Sequence, residues 1–157
     1  MSILIAAAAV VAVTPACTAR KVVLSIDSRD GDFNGMSHSG TYLVIRNTGR
    51  RACGLPGLPF VTFHGARGVL LPASRQSPVG MHPGPVIVPV TIPAHGRVAT
   101  ALRWVSGPVY DRNRRLVTRT VDVTIGGRTV RTPFRAAMFA PVGEPARFDQ
   151  PPLVPFR

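Results

Sequence analysis

The sequence predicts an all-β fold, an Ig-like antiparallel β-sandwich of about seven to eight short strands preceded by a signal peptide. Three observations carry this. Fifteen glycines and sixteen prolines are spread along 157 residues, so turns recur too often for long helices. Between those turns lie short runs rich in β-branched and aromatic residues, the composition of strands. No helix-period pattern follows residue 20, and a chain of this length supports one domain with one core. The expected organisation is a signal peptide over 1–16, a sandwich over 17–140 and a proline-rich extended tail over 141–157.

The opening "MSILIAAAAVVAVTPACTAR" holds an apolar run from Ile3 to Val13, too short to span a bilayer but sized for a signal-peptide core. No Lys or Arg precedes the run, a departure from the usual signal. Thr14 and Ala16 are small enough for cleavage just before Cys17, so export is expected, with a periplasmic, secreted or cell-surface destination. Two fates then stand open for Cys17. As a lipoprotein cysteine it carries lipid and tethers the chain to a membrane, although Thr14 and Pro15 fit such a signal poorly. As one of an even pair in an exported domain it bridges to Cys53.

The strands follow in order. "KVVLSID" (Lys21 to Asp27) and "TYLVIRN" (Thr41 to Asn47) read as two antiparallel strands joined by the loop "RDGDFNGMSHSG". Their pairing brings the start of the first beside the end of the second, and so brings Cys17 and Cys53 to one end of the ladder, where a disulfide between them is the expected fate. After the turn in "GLPGLP", "FVTFHGARGVLLP" reads as two short strands around His64 to Gly68. "PVIVPVTIP" (Pro85 to Pro93) is apolar on both faces, and Pro89 removes a ladder donor, which assigns it to a sheet edge or a bulge. "RVATALRW" alternates Val98, Thr100, Leu102 and Trp104 against an arginine-bearing outer face. "YDRNRRLVTR" (Tyr110 to Arg119) reads as a solvated loop. In "TVDVTIGGRTVRTPF", Gly126 and Gly127 supply a two-residue hairpin turn. Ile125 then pairs with Arg128, Val123 with Val130, Val121 with Thr132, and Asp122 with Arg131. From Pro141 onward five prolines break any periodicity, with Phe148 or Leu153 as the residues placed to tuck against the domain.

The segment "GMSHSGTYLVIRNTGRRACGLPGLPFVTFHGARG" resembles the exported bacterial family labelled domain of unknown function 4232. It shares a glycine-rich turn with a histidine, an apolar strand ending in Asn-Thr-Gly, then Cys-x-Leu-x-Gly-x-Pro and a short strand. The resemblance runs from "CTA" at Cys17 through "IPAHGRVATALRW" and covers roughly Cys17 to Phe134. Its positions here are Gly35, His38, Gly40, Asn47, Gly49, Cys53, Leu55, Gly57 and Pro59, mostly turn and framework types. The resemblance implies an exported β-sandwich, often membrane-anchored, with no catalytic residue to transfer. Family members often carry further cysteines toward the C-terminus, which this sequence lacks.

The formal charge is +12, and of the 19 cationic residues only Lys21 is lysine. Nucleic-acid binding needs stacking aromatics beside the basic patch, and the aromatics here fall mostly on strand positions; no nucleic-acid partner is expected. In the first loop Asp30, Asp32, Asn34 and Gly35 match the first half of a calcium loop. The closing bidentate glutamate is replaced by Thr41, and strands rather than helices flank it. Met36 and His38, with Met81 and His82 of "GMHPG", form a soft and imidazole set suited to copper. "GMSHSG" comes close to a nucleophile elbow but is followed by a strand, not a helix. The seven acids are scattered apart from the three near the first turn, so paired-carboxylate chemistry is unsupported. His64 and His95 receive no role. The expectation is a non-enzymatic, cofactor-free envelope module, structural or binding, with an envelope or extracellular partner and a membrane only if Cys17 is lipidated. The alternative is a metal-binding envelope protein.

Overall fold

The computed structural model describes residues 12–76 and 86–157. The apolar run of the expected signal peptide, apart from its last residues, lies outside that span, as do Met81 and His82. Eleven strands are present among the described residues, seven of four residues or more and four of only two or three, which extends the expected seven to eight.

The first is β1 (Val22–Asp27), joined by the acidic loop to β2 (His38–Asn47). They pair antiparallel, as their composition predicts, with Val22 opposite Asn47 and Asp27 opposite Tyr42. Next come β3 (Cys53–Leu55), β4 (Val61–His64), β5 (Ala73–Arg75), β6 (Val90–Ile92) and β7 (Arg97–Val105). The chain ends with β8 (Asn113–Ile125), β9 (Arg128–Pro141), β10 (Ala146–Asp149) and β11 (Val154–Pro155). The larger sheet has the order β1-β2-β7-β10-β5, with β11 also on β7. A second sheet is β4-β8-β9, and β3-β6 forms a small third.

The two main sheets face each other over one core. Leu43 and Ile45 of β2, and Val98 and Leu102 of β7, are fully buried with Phe63 of β4 and Val121, Val123 and Met138 of β8 and β9. Rings cross the interface: Phe63 meets Phe148 at 5.0 Å and Trp104 meets Phe134 at 5.3 Å, both edge to face. That geometry favours aromatic pairs. The Trp104 indole N–H donates to the Ala137 carbonyl at 3.1 Å, which satisfies the one polar atom this ring carries inward.

The β8–β9 hairpin has the predicted register throughout its distal half, with Ile125 opposite Arg128 and Asp122 opposite Arg131. Gly126 and Gly127 take φ of 57° and 74°, the left-handed values that a two-residue turn needs. Further down, Arg119 faces both Phe134 and Arg135, a bulge. The buried Thr118 hydroxyl repairs it by accepting the Ala136 N–H at 2.9 Å and donating to the Phe134 carbonyl at 3.0 Å.

Four local expectations need correction. Asn113 to Arg119 is strand rather than loop, because Leu116 and Thr118 point inward while Arg115 and Val117 take the outer face, an alternation masked by the arginines. The second strand after His64 reduces to a single bridge between His64 and Leu70. The sandwich is not wholly antiparallel, since β10 and β5 pair parallel. The extended tail is also incorporated into the fold. Residues 146–149 and 154–155 add two strands to the edge of β7, and Phe148 and Leu153 are buried. Prolines flank β10, and Pro155 itself forms half of the two-residue β11 at the sheet edge. β6, beginning just after Pro89, lies in the small two-stranded sheet, as a donor-poor segment should. No helix among the described residues is long and apolar enough to cross a membrane.

Candidate functional site

The loop between β1 and β2 folds through consecutive tight turns. Gly31 N–H donates to Ser28 O, Asp32 N–H to Arg29 O and Asn34 N–H to Gly31 O, and Arg29 and Asp30 take left-handed φ near 50°. Asp27 organises the entry: its carboxylate accepts the Arg29 N–H at 3.0 Å and lies 3.3 Å from the Arg29 Nε. Asp30, Asp32 and Asn34 are exposed. Among the described residues no three His, Cys, Asp or Glu side chains gather as a metal site. His38 Nδ1 sits 3.0 Å from the Met36 carbonyl oxygen, and the Met36 side chain projects into solvent at 96 % exposure. Met81 and His82, the other half of the soft-ligand set, lie outside the described residues.

What the loop does build is an aromatic and cationic surface on the outer face of the larger sheet. Phe33 meets Tyr42 edge-on at 4.9 Å, and Tyr42 meets Phe156 at 5.1 Å. The Arg29 and Arg97 guanidinium groups lie 5.0 and 5.6 Å from the centre of the Phe156 ring, within cation–π range. A groove runs between this cluster and β1, lined by Ser25, Asp27, Arg29, Val44, Arg97 and Phe156. Sequence reasoning missed Phe156 because it follows five prolines; its alternation with Val154 was the available signal.

A second polar cluster lies on the outer face of the smaller sheet. Asp122 is almost fully buried, held by Arg131, with His64 Nδ1 3.5 Å from its Oδ2. His64 Nδ1 is itself buried and has no hydrogen-bond partner. The side-chain hydrogen bond to Asp122, and secondarily its charge, raises the Arg131 pKa above the ordinary arginine value. The Asp122–Arg131 pairing was legible in the hairpin register. The approach of His64 was not, since it comes from β4 across a separate strand pairing.

At the far end of the first ladder Cys17 and Cys53 are joined by a disulfide, with Cα atoms 4.8 Å apart. Both are buried and no free cysteine remains. Ala16 bridges Gly54 in parallel beside them. Sequence and geometry agree here, because antiparallel pairing of β1 with β2 converges the residues that precede one and follow the other.

Residues 17–150 match the family described as domain of unknown function (DUF4232). The chain belongs to that family. Comparison with curated proteins and with solved structures finds no match. The DUF4232 span opens at the disulfide cysteine and closes just after β10. It therefore takes in the Ala146–Asp149 strand, whereas β11 and Phe156 lie beyond it.

Proposed function

We propose that this DUF4232 chain is an exported, non-enzymatic β-sandwich acting as a binding module at the cell envelope. The observation that carries the reading is the Cys17–Cys53 disulfide, since structural disulfides persist in oxidising compartments and are rare in the cytosol. The bond starts at the residue where cleavage of the apolar leader is expected, so the mature chain begins already tied to the sheet. The surfaces suited to binding are the groove beside Phe156 and the arginine-bearing sheet faces. In the alternative metal reading the first-loop acids serve calcium, or Met36 and His38 join Met81 and His82 around copper. It draws less support, because among the described residues no three His, Cys, Asp or Glu side chains gather as a metal site.

Intact mass of the chain expressed with its own N-terminus, measured by compartment with and without reduction and alkylation, tests the proposal. The expected product is found outside the cytosol, begins at or next to Cys17 and has no alkylatable thiol before reduction. Recovery only from the cytosol, with the leader retained and two free thiols, would refute export. A diacylglycerol increment on Cys17 would keep export and replace the bridge by a membrane tether.

A further inference from the structure

Arg46 and Arg97 are direct partners across the β2–β7 ladder. Asn47 N–H donates to the Gly96 carbonyl at 3.0 Å, so the neighbouring Arg46–Arg97 pair is of the non-hydrogen-bonded type. Such pairs hold their Cα atoms at about 4.5 Å and send both side chains off the same face side by side. Like charges placed directly opposite are destabilising. No ion pair among the described residues offsets them. The row across the sheet reads Val23, Arg46, Arg97, then Phe156. The next row toward the sheet end contributes Lys21, whose carbonyl accepts the Thr48 N–H. Asp27 and the exposed Asp30 line the groove that Arg97 borders; Asp27 is engaged by Arg29, and neither forms an ion pair with Arg46 or Arg97.

We propose that Arg46 and Arg97 together bind one phosphate-type oxyanion on the outer face of the larger sheet. Arg97 is positioned for this. Phe156 donates its backbone N–H to the Arg97 carbonyl at 3.1 Å and lays its ring under the guanidinium, and that ring is steadied in turn by Tyr42. A stacked guanidinium loses little freedom when it binds, and its planar fork matches oxyanion geometry. Two forks side by side select the ligand class. A carboxylate offers two oxygens and satisfies one fork bidentately, whereas a tetrahedral phosphate group presents enough oxygens for both. Ser25 and Val44 in the adjacent groove provide a hydroxyl and an apolar floor beside the anion. The site deepens the binding-module reading by naming a ligand class, but it does not depend on export, so the two tests fail separately.

The experiment is thermal unfolding of the disulfide-intact chain at low ionic strength, titrated with inorganic phosphate against chloride at matched ionic strength. Wild type is expected to gain about 4 °C at about ten times the dissociation constant for phosphate, by mass action. Arg46→Gln should show two linked changes: a higher midpoint than wild type in chloride, because the repulsion is gone, and loss of the phosphate-specific gain. Arg135→Gln, an exposed arginine on β9, should keep that gain. Flotation with phosphatidylglycerol against phosphatidylcholine vesicles assigns the source: binding competed by free phosphate and lost in Arg46→Gln identifies a lipid headgroup, and no vesicle binding identifies a soluble phosphate. Equal responses of wild type to phosphate and chloride, or a phosphate gain that survives Arg46→Gln, would overturn the site.

Discussion

Arg131 closes on Asp122 with two parallel hydrogen bonds, Nε to Oδ1 and Nη2 to Oδ2, each at 2.8 Å, across the β8–β9 hairpin. The carboxylate is nearly buried while the guanidinium stays half in solvent. Asp122 therefore depends on its partner more than Arg131 does, and the pair fixes the outer face of the hairpin as Val123 and Val130 fix the inner one.

Asp122→Ala should lower stability by about 1–3 kcal/mol, the range for charged hydrogen bonds, read by urea unfolding. Arg131→Ala should move the midpoint in the same direction by at least as much, because it strips the nearly buried Asp122 carboxylate of both its hydrogen bonds. The raised Arg131 pKa places its contribution below the arginine range, to be lost only as pH rises through it, so this residue adds no pH dependence between about pH 5 and 9. Unchanged urea midpoints in both variants would show that the pair is ornamental.

Reduction of the Cys17–Cys53 bond, or a double Cys→Ser variant, should cost about 4 kcal/mol, because the 36-residue separation sets the loop entropy released to the unfolded chain. Equilibrium denaturation with and without reductant measures it. Superimposable curves would mean that other contacts already hold this end closed.

Asn47 is buried and spends its amide on three carbonyls, Arg51 at 2.8 Å and Ile92 and Pro93 at 3.2 Å, while its Oδ1 accepts the Gly49 N–H at 2.8 Å. Asn47→Asp places a carboxylate oxygen against those carbonyls. The expected loss at neutral pH is about 2–4 kcal/mol, partly recovered in acid as the new carboxylate takes a proton. A variant as stable as wild type at neutral pH would remove this residue from its role as the clasp of the turn.

Leu153→Ala should destabilise by about 2–4 kcal/mol, as for a core leucine, since the side chain is 4 % exposed and its N–H donates to Gly57 O at 2.7 Å. A detached proline-rich tail predicts no change. Chemical denaturation of this one variant decides between them.

Calcium titration should give no heat from the first loop, and Asp30→Ala and Asp32→Ala should leave the calorimetric trace unaltered, because no closing ligand completes the shell. Copper exposure followed by dialysis should leave less than one metal per chain by elemental analysis. A submicromolar calcium site lost in either aspartate variant, or one copper lost on His38→Ala or His82→Ala, would move the metal reading to first place.

The elements legible in the sequence are those whose partners are near in the chain. Gly126 and Gly127 set a turn, and period-2 alternation on either side then leaves one register that buries Val121, Val123 and Ile125 while meeting Asp122 with Arg131. The β1–β2 pairing, and with it the convergence of Cys17 and Cys53, follows from the same local logic carried across one loop. The rest depended on which surfaces the assembled sheets left open. β7 has one edge covered by β2 and one edge free, and that free edge offers backbone groups to any nearby segment, so β10 and β11 pair there although the prolines in and around them hide any pattern. The same non-local pairing sets Arg46 against Arg97 and carries His64 to Asp122. Alternation along a strand says which side a residue faces. Only the order of strands in the finished sheet says what stands beside it, because that order is chosen by the total burial of the core and not by any single segment.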